Sequence, residues 1–168
     1  SVDISNSTET FKELVETLMK FKIQQNFLSQ ADIFRFKNGT LKILWPKNGF
    51  VSSDINDFSV VSILEYGDFE ILLTGDAEAE ILGRIQGMGE ADILKVPHHG
   101  SKNGLNNEIL ETIRPELAVI AVGKNNKYNH PAEETLRILR DLQIKTLRTD
   151  QNGDIEIVSD GKSWGVKE

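Results

Sequence analysis

The chain has 168 residues, 39% hydrophobic and 27% charged, which suffices for one globular domain that needs neither a disulfide nor a structural metal to fold. It contains no cysteine, which excludes disulfide scaffolds, thiolate zinc sites and cysteine nucleophiles. A formal charge of -7 argues against sequence-independent nucleic-acid binding through a broad basic face, and no apolar run approaches the ~20 residues of a membrane span, so a soluble segment without membrane contact is expected.

From Thr10, the positions Phe11, Leu14, Val15, Leu18, Met19 and Phe21 recur at helical spacing, and Thr10 with Glu13 forms a capping-box pattern. Asp32 to Phe36 and Thr40 to Trp45 are strand-like runs joined by Asn38-Gly39, a strong hairpin signal. A polar loop then leads into a second hairpin, Phe58 to Tyr66 and Phe69 to Leu73, turning at Gly67-Asp68. Its apolar runs are nearly continuous, so both faces are expected to be covered. Helix and strand alternate from there: helix Ala77 to Gln86, strand Asp92 to Val96, helix Asn107 to Ile113, strand Leu117 to Val122, helix Ala132 to Leu142 and strand Ile144 to Leu147. A terminal hairpin, Asp154 to Val158 and Ser163 to Val166, closes the chain around Asp160-Gly161. The pattern predicts an α/β sheet with helices packed on it, and residues 1–168 read as a single unit without an internal linker.

Four polar clusters begin where apolar strands end: Thr74-Gly75-Asp76, Pro97-His98-His99-Gly100-Ser101, Gly123 to His130, and Arg148-Thr149-Asp150. If these strands are parallel, all four clusters share one rim of the sheet, where α/β folds place ligands. Together they hold all three histidines of the chain. Each has a plainer reading as well. Asp76 suits an N-cap of the helix starting at Ala77, against a role as a hard oxygen ligand able to bridge metals. His98 and His99, taken as adjacent residues of an extended segment, would point opposite ways, leaving one for a metal and one for backbone or substrate. Ser101 suits a cap or an oxyanion donor. The loop containing Lys124, Asn125, Asn126, Lys127, Tyr128 and His130 is rich in donors for an anion, against a merely solvated loop.

The ordered set Asn56-Asp57-Phe58-Ser59-Val60-Val61, Leu73-Thr74-Gly75-Asp76, Leu94-Lys95-Val96-Pro97-His98-His99-Gly100-Ser101, Val122-Gly123-Lys124-Asn125-Asn126 with His130-Pro131, and Arg148-Thr149-Asp150-Gln151-Asn152-Gly153 resembles the C-terminal part of metallo-β-lactamase-fold hydrolases, in their ComEC-like competence branch. Ser7-Thr8-Glu9-Thr10-Phe11 is a weaker match. The resemblance implies an α/β fold of the metallo-β-lactamase-like αββα sandwich type, represented by its C-terminal portion only, in a single partial domain over 1–168. It implies a hydrolytic site with two divalent metal ions, zinc or manganese, and metal-activated water as nucleophile. Asp76, His98 and His99 would be metal ligands, and Asp76, His98 and His130 would be catalytic. Asn56, Asp57, Ser59, Ser101, Lys124, Asn126 and His130 would line the substrate side.

The family's H-x-H-x-D-H motif, which supplies most metal ligands, is not in this sequence. Two explanations stand for this, a fragment of a longer domain or a degenerate relative that has lost its metals. The expectation followed is a fragment of a metal-dependent phosphodiesterase or nuclease linked to DNA uptake, with an upstream part of the same domain implied. The isolated chain would be weakly active or inactive, act on a phosphodiester or nucleic-acid substrate, and belong to a membrane-attached competence protein or a secreted one. Fragment status would also leave apolar sheet surface uncovered. The alternative is a non-catalytic binding or assembly module of the same fold that holds DNA or a protein partner.

Overall fold

The computed structural model describes residues 8–167, so Ser7 of the weaker motif lies outside the described residues. The elements, in chain order, are α1 (Glu9–Lys20), β1 (Ile33–Arg35), β2 (Thr40–Trp45), β3 (Val61–Tyr66), β4 (Phe69–Leu73), α2 (Ala79–Leu82), β5 (Ile93–Lys95), α3 (Asn107–Ile113), β6 (Leu117–Ile120), α4 (Glu133–Asp141), β7 (Lys145–Arg148), α5 (Thr149–Asn152), β8 (Glu156–Ser159) and β9 (Trp164–Lys167).

Strands β1 to β7 form one seven-stranded sheet in sequence order, and β8 and β9 form a separate two-stranded sheet. Pairing is antiparallel from β1 to β4 and parallel from β4 to β7. The parallel strands advance in one direction, and right-handed crossovers then put α2, α3 and α4 on one face. Side chains alternate between faces along each strand. Leu72, Leu94, Ala118 and Ile120 pack with Ile81 and Leu82 of α2, Ile109, Leu110 and Ile113 of α3, and Leu139 of α4. Phe69, Ile71, Ile93, Leu117, Val119 and Leu147 face the other way and pack against Ile157, Trp164 and Val166 of β8 and β9. Coverage on both sides explains why these strands read as continuous apolar runs; burying each large side chain contributes about 1.5–3 kcal/mol. The layers run helix, mixed sheet, second sheet, in the α/β class expected.

The two sheets meet at a backbone contact. The Asp68 amide donates to the Gly161 carbonyl at 2.7 Å, and a Cβ on Gly67 would collide with that same carbonyl. Local signals elsewhere hold with adjusted limits. Thr8, not Thr10, caps α1, its hydroxyl accepting from the Phe11 amide. The predicted helix from Ala77 to Gln86 is reduced to Ala79–Leu82, because Gly83 follows and Gly87 and Gly89 adopt positive φ. Among the described residues, no helix is long and apolar enough to cross a membrane. Helix α1 buries no residue, and Leu14, Met19 and Phe21 are exposed, as are Phe34 and Phe36 near β1.

Candidate functional site

The parallel strands end together, so the segments after Leu73, Lys95, Ile120 and Arg148 lie along one rim. Antiparallel pairing brings the end of β2 and the start of β3 to the same rim, since Trp45 is opposite Val61. This places Asn56, Asp57 and Ser59 there too, in and just after the 3-10 turn Ile55–Phe58. The Trp45 indole donates to the Asp57 carbonyl at 2.6 Å, and the Asp57 carboxylate accepts from Ser52 Oγ at 2.5 Å.

Hydrogen bonds stitch each rim segment to the next. Thr74 Oγ1 donates to the Lys95 carbonyl at 2.7 Å, and the His98 amide donates to the Gly75 carbonyl at 3.2 Å. The Thr149 hydroxyl pairs with both the amide and the carbonyl of Val122, each at 2.8 Å. Arg148 is held by a bidentate pairing to Asp150, at 3.0 and 2.6 Å. That pairing, more than any other influence, holds the Asp150 carboxyl below its usual range.

Asp76 is not a helix cap, since α2 begins at Ala79 with Glu78 in the cap position. Its amide donates to Ser59 Oγ at 3.2 Å, so Ser59 supports the turn that carries it. Lys95 lies nearby with its ammonium on the Gly75 carbonyl at 2.8 Å. Burial lowers the Lys95 pKa and the Asp76 charge partly restores it.

The histidine pair departs from the extended geometry expected. His98 (φ 46°) and His99 (φ 54°) are both left-handed, within a turn running from Pro97 to Gly100. Successive left-handed residues curl the backbone, and the two rings end up 6.3 Å apart rather than on opposite sides. His130 joins them, its ring 5.7 Å from that of His98. Burial first, then the positive charge that His98 and His99 carry when protonated, lowers the His130 pKa from 6.5. Its Nδ1 is buried and has no hydrogen-bond partner.

Asn126 builds the loop that delivers His130. Its Oδ1 accepts from the amides of Tyr128 and His130 at 3.2 and 3.0 Å, while Nδ2 donates to the carbonyls of Gly123 and His130 at 3.1 and 2.7 Å. Ser101 is similarly committed inside the protein, donating its hydroxyl to Glu78 at 2.5 Å and accepting at its carbonyl from Thr135 at 2.7 Å. Lys124 and Lys127 are exposed in the same loop as Asn126, and the Tyr128 ring stacks on His130 at 6.0 Å with Lys127 Nζ 5.5 Å from its centre. Glu78 and Lys95 join the site without a role expected from the sequence, whereas Tyr128 belongs to the donor-rich loop already singled out. Glu78 carried a weak signal, an acidic residue two positions after Asp76 at a helix start.

The donors have suitable chemistry for a divalent ion, but they do not converge. Among the described residues, no group of three or more His, Asp or Glu side chains can hold a metal. Asp76, His98 and His99 therefore do not make a metal centre by themselves.

No family model matches the chain. Among curated proteins it is 36% identical to ComE operon protein 3 of Bacillus subtilis over 77% of its own length and 17% of that protein's. It is 33% identical to Recombination protein 2 of Haemophilus influenzae, over 69% of this chain and 15% of the relative. Competence protein ComA of Neisseria gonorrhoeae is 34% identical over 61% and 16% of the two lengths. The chain thus spans less than a fifth of the curated relatives it matches. Partial likeness extends to two solved structures. One is described as a metal-dependent hydrolase from Parabacteroides distasonis, with TM-score 0.49, 13% identity, and coverage of 80% of this chain and 61% of that one. The other is described as a zinc-dependent hydrolase of the metallo-β-lactamase superfamily from Thermotoga maritima, with TM-score 0.42, 17% identity, and coverage of 66% and 57%.

Proposed function

We propose, from the premise that this chain is homologous to a segment of competence-related proteins, that it supplies the substrate-facing rim of a hydrolase-fold domain acting on a phosphodiester during DNA uptake. The observation that carries this reading is the gathering of His98, His99 and His130 beside a loop with two exposed lysines, in a chain that is otherwise acidic. In this role Lys124 and Lys127 bind non-bridging phosphate oxygens, each as a charge-assisted contact. A protonated imidazole donates to an oxygen that gains charge as the ester breaks, and a neutral one accepts a proton from water. The Asn126 framework holds these groups at fixed separation, and Thr149 at the start of α5 ties down Val122 where the loop begins.

The zinc or manganese implied by the resemblance would need donors beyond those gathered among the described residues. The exposed Lys124 and Lys127 beside the histidines also support a second reading, in which the rim binds a nucleic acid or partner without cleaving it.

Titrating the chain with a fluorescent single-stranded oligonucleotide tests the shared part of both readings. Binding should weaken as salt rises, with a slope of roughly 0.7 per phosphate neutralised, and should weaken further in a Lys124→Ala/Lys127→Ala variant. Undetectable binding, or binding indifferent to both lysines, overturns the phosphodiester assignment. Hydrolysis by the longer protein separates the readings. Loss of cleavage in His98→Ala with binding retained supports the hydrolase, whereas intact function in Asp76→Ala and His98→Ala supports the binding module.

A further inference from the structure

We propose that Glu78 is a positioning residue that holds His98 in the tautomer protonated at Nδ1, leaving the Nε2 lone pair open at the rim. Glu78 occupies the N-cap position of α2, yet its side chain makes no capping bond. It reaches across to the histidine turn instead. One oxygen, Oε1, meets His98 Nδ1 at 3.0 Å and Ser101 Oγ at 2.5 Å. A carboxylate only accepts, so both partners must donate, and His98 Nδ1 must carry its hydrogen. In a neutral imidazole the other nitrogen is then an acceptor.

The turn is built to keep this pairing. His98 holds a left-handed backbone (φ 46°, ψ 48°) at a cost of about 1–2 kcal/mol, a conformation that persists only where surroundings overdetermine it. Its amide is bound by the Gly75 carbonyl and its carbonyl by the Ser101 amide at 2.9 Å. Ser101 is fixed in turn by Thr135 through a buried bond. The Glu78 carboxylate ties this assembly, which follows β5, to the start of α2, which follows β4.

His99 reaches the same tautomer by separate means. Its Nδ1 lies 2.7 Å from the Ala121 carbonyl, which is also an acceptor only. Two adjacent imidazoles thus both present Nε2 unprotonated, one through a side chain and one through backbone. An imidazole left to solvent favours hydrogen on Nε2 instead, so the open Nε2 of His98 is a consequence of Glu78.

The use of that lone pair as a base or ligand rests on the hydrolase reading above; the tautomer does not. Nitrogen-15 correlation spectra of the 168-residue chain, recorded above the imidazole titration range, read it directly. The expected result is Nδ1–H at both His98 and His99 in the native chain. In Glu78→Ala, His98 should shift mainly to Nε2–H while His99 keeps Nδ1–H. His98 retaining Nδ1–H in Glu78→Ala, or His98 and His99 changing together, overturns the proposal. Should that variant fail to fold, the native spectrum decides alone, since hydrogen on Nε2 of His98 overturns the assignment and hydrogen on Nδ1 supports it. Absence of hydrolysis by the longer protein would count against the function and leave this result untouched.

Discussion

Pro131 occupies the space that a side chain on Gly100 would need: a Cβ built there would sit 2.6 Å from the Pro131 Cβ. Beside this contact the Ala132 amide donates to the Gly100 carbonyl at 2.8 Å. The turn carrying His98 and His99 and the loop carrying His130 are locked together at this point. Gly100 also has φ +81°, where an L residue is strained.

Gly100→Ala should therefore destabilise the chain by about 2–4 kcal/mol, combining left-handed strain with overpacking. The midpoint of urea unfolding checks this. Pairing it with Pro131→Gly should recover the overpacking part only. An unchanged midpoint in the single variant would refute the close approach.

Asn126 shapes the loop from within, so its removal should be felt through loop order. Asn126→Ala leaves the Tyr128 and His130 amides and the carbonyls of Gly123 and His130 without that partner, at an expected cost of about 1–3 kcal/mol. Amide exchange at Tyr128 and His130 should quicken, and oligonucleotide binding should weaken. Exchange at native rates would show that the loop holds its shape by other means.

Acid should weaken the fold through His130. Its folded pKa is lowered from 6.5, chiefly by burial and then by His98 and His99, so the unfolded chain binds the proton more readily. This contribution is fully present above 6.5 and is lost as pH falls from there through the lowered folded value. His130→Gln should flatten that segment of the stability profile while leaving the more acidic loss from Asp150, whose ordinary value is 3.8. A profile identical to the native one would exclude His130 as the source.

The apolar residues of α1 and β1 predict self-association. Met19 is 69% exposed and Phe21 65%, and Phe36 beyond β1 is 58% exposed. Light scattering should show an average mass that grows with concentration, and Met19→Lys/Phe21→Lys should reduce the growth. A single monomer mass at all concentrations would contradict this.

Local pattern in the sequence determined most of the elements. Short, nearly continuous apolar runs marked the strands, Asn38-Gly39 marked the first hairpin, and the alternation of strands with helices pointed to a shared rim for four polar clusters, given the parallel pairing that the structure supplies. These features depend on near neighbours, which periodicity and turn chemistry record. The ordered motifs also carried the resemblance that the competence-related relatives support. The left-handed path of His98 and His99 was decided by tertiary structure, as were the commitment of Ser101 and Asn126 to internal bonds and the reach of Glu78 to His98. Each is settled by a partner supplied by the folded neighbourhood: Glu78 and Gly75 for the turn, Thr135 for Ser101, the loop's own backbone for Asn126. The bonds of Glu78, Gly75 and Thr135 join residues 20 or more positions apart, so they form only where the rim segments meet and local spacing does not record them. Those of Asn126 are local, but which atoms its amide takes is set by the folded path of the loop.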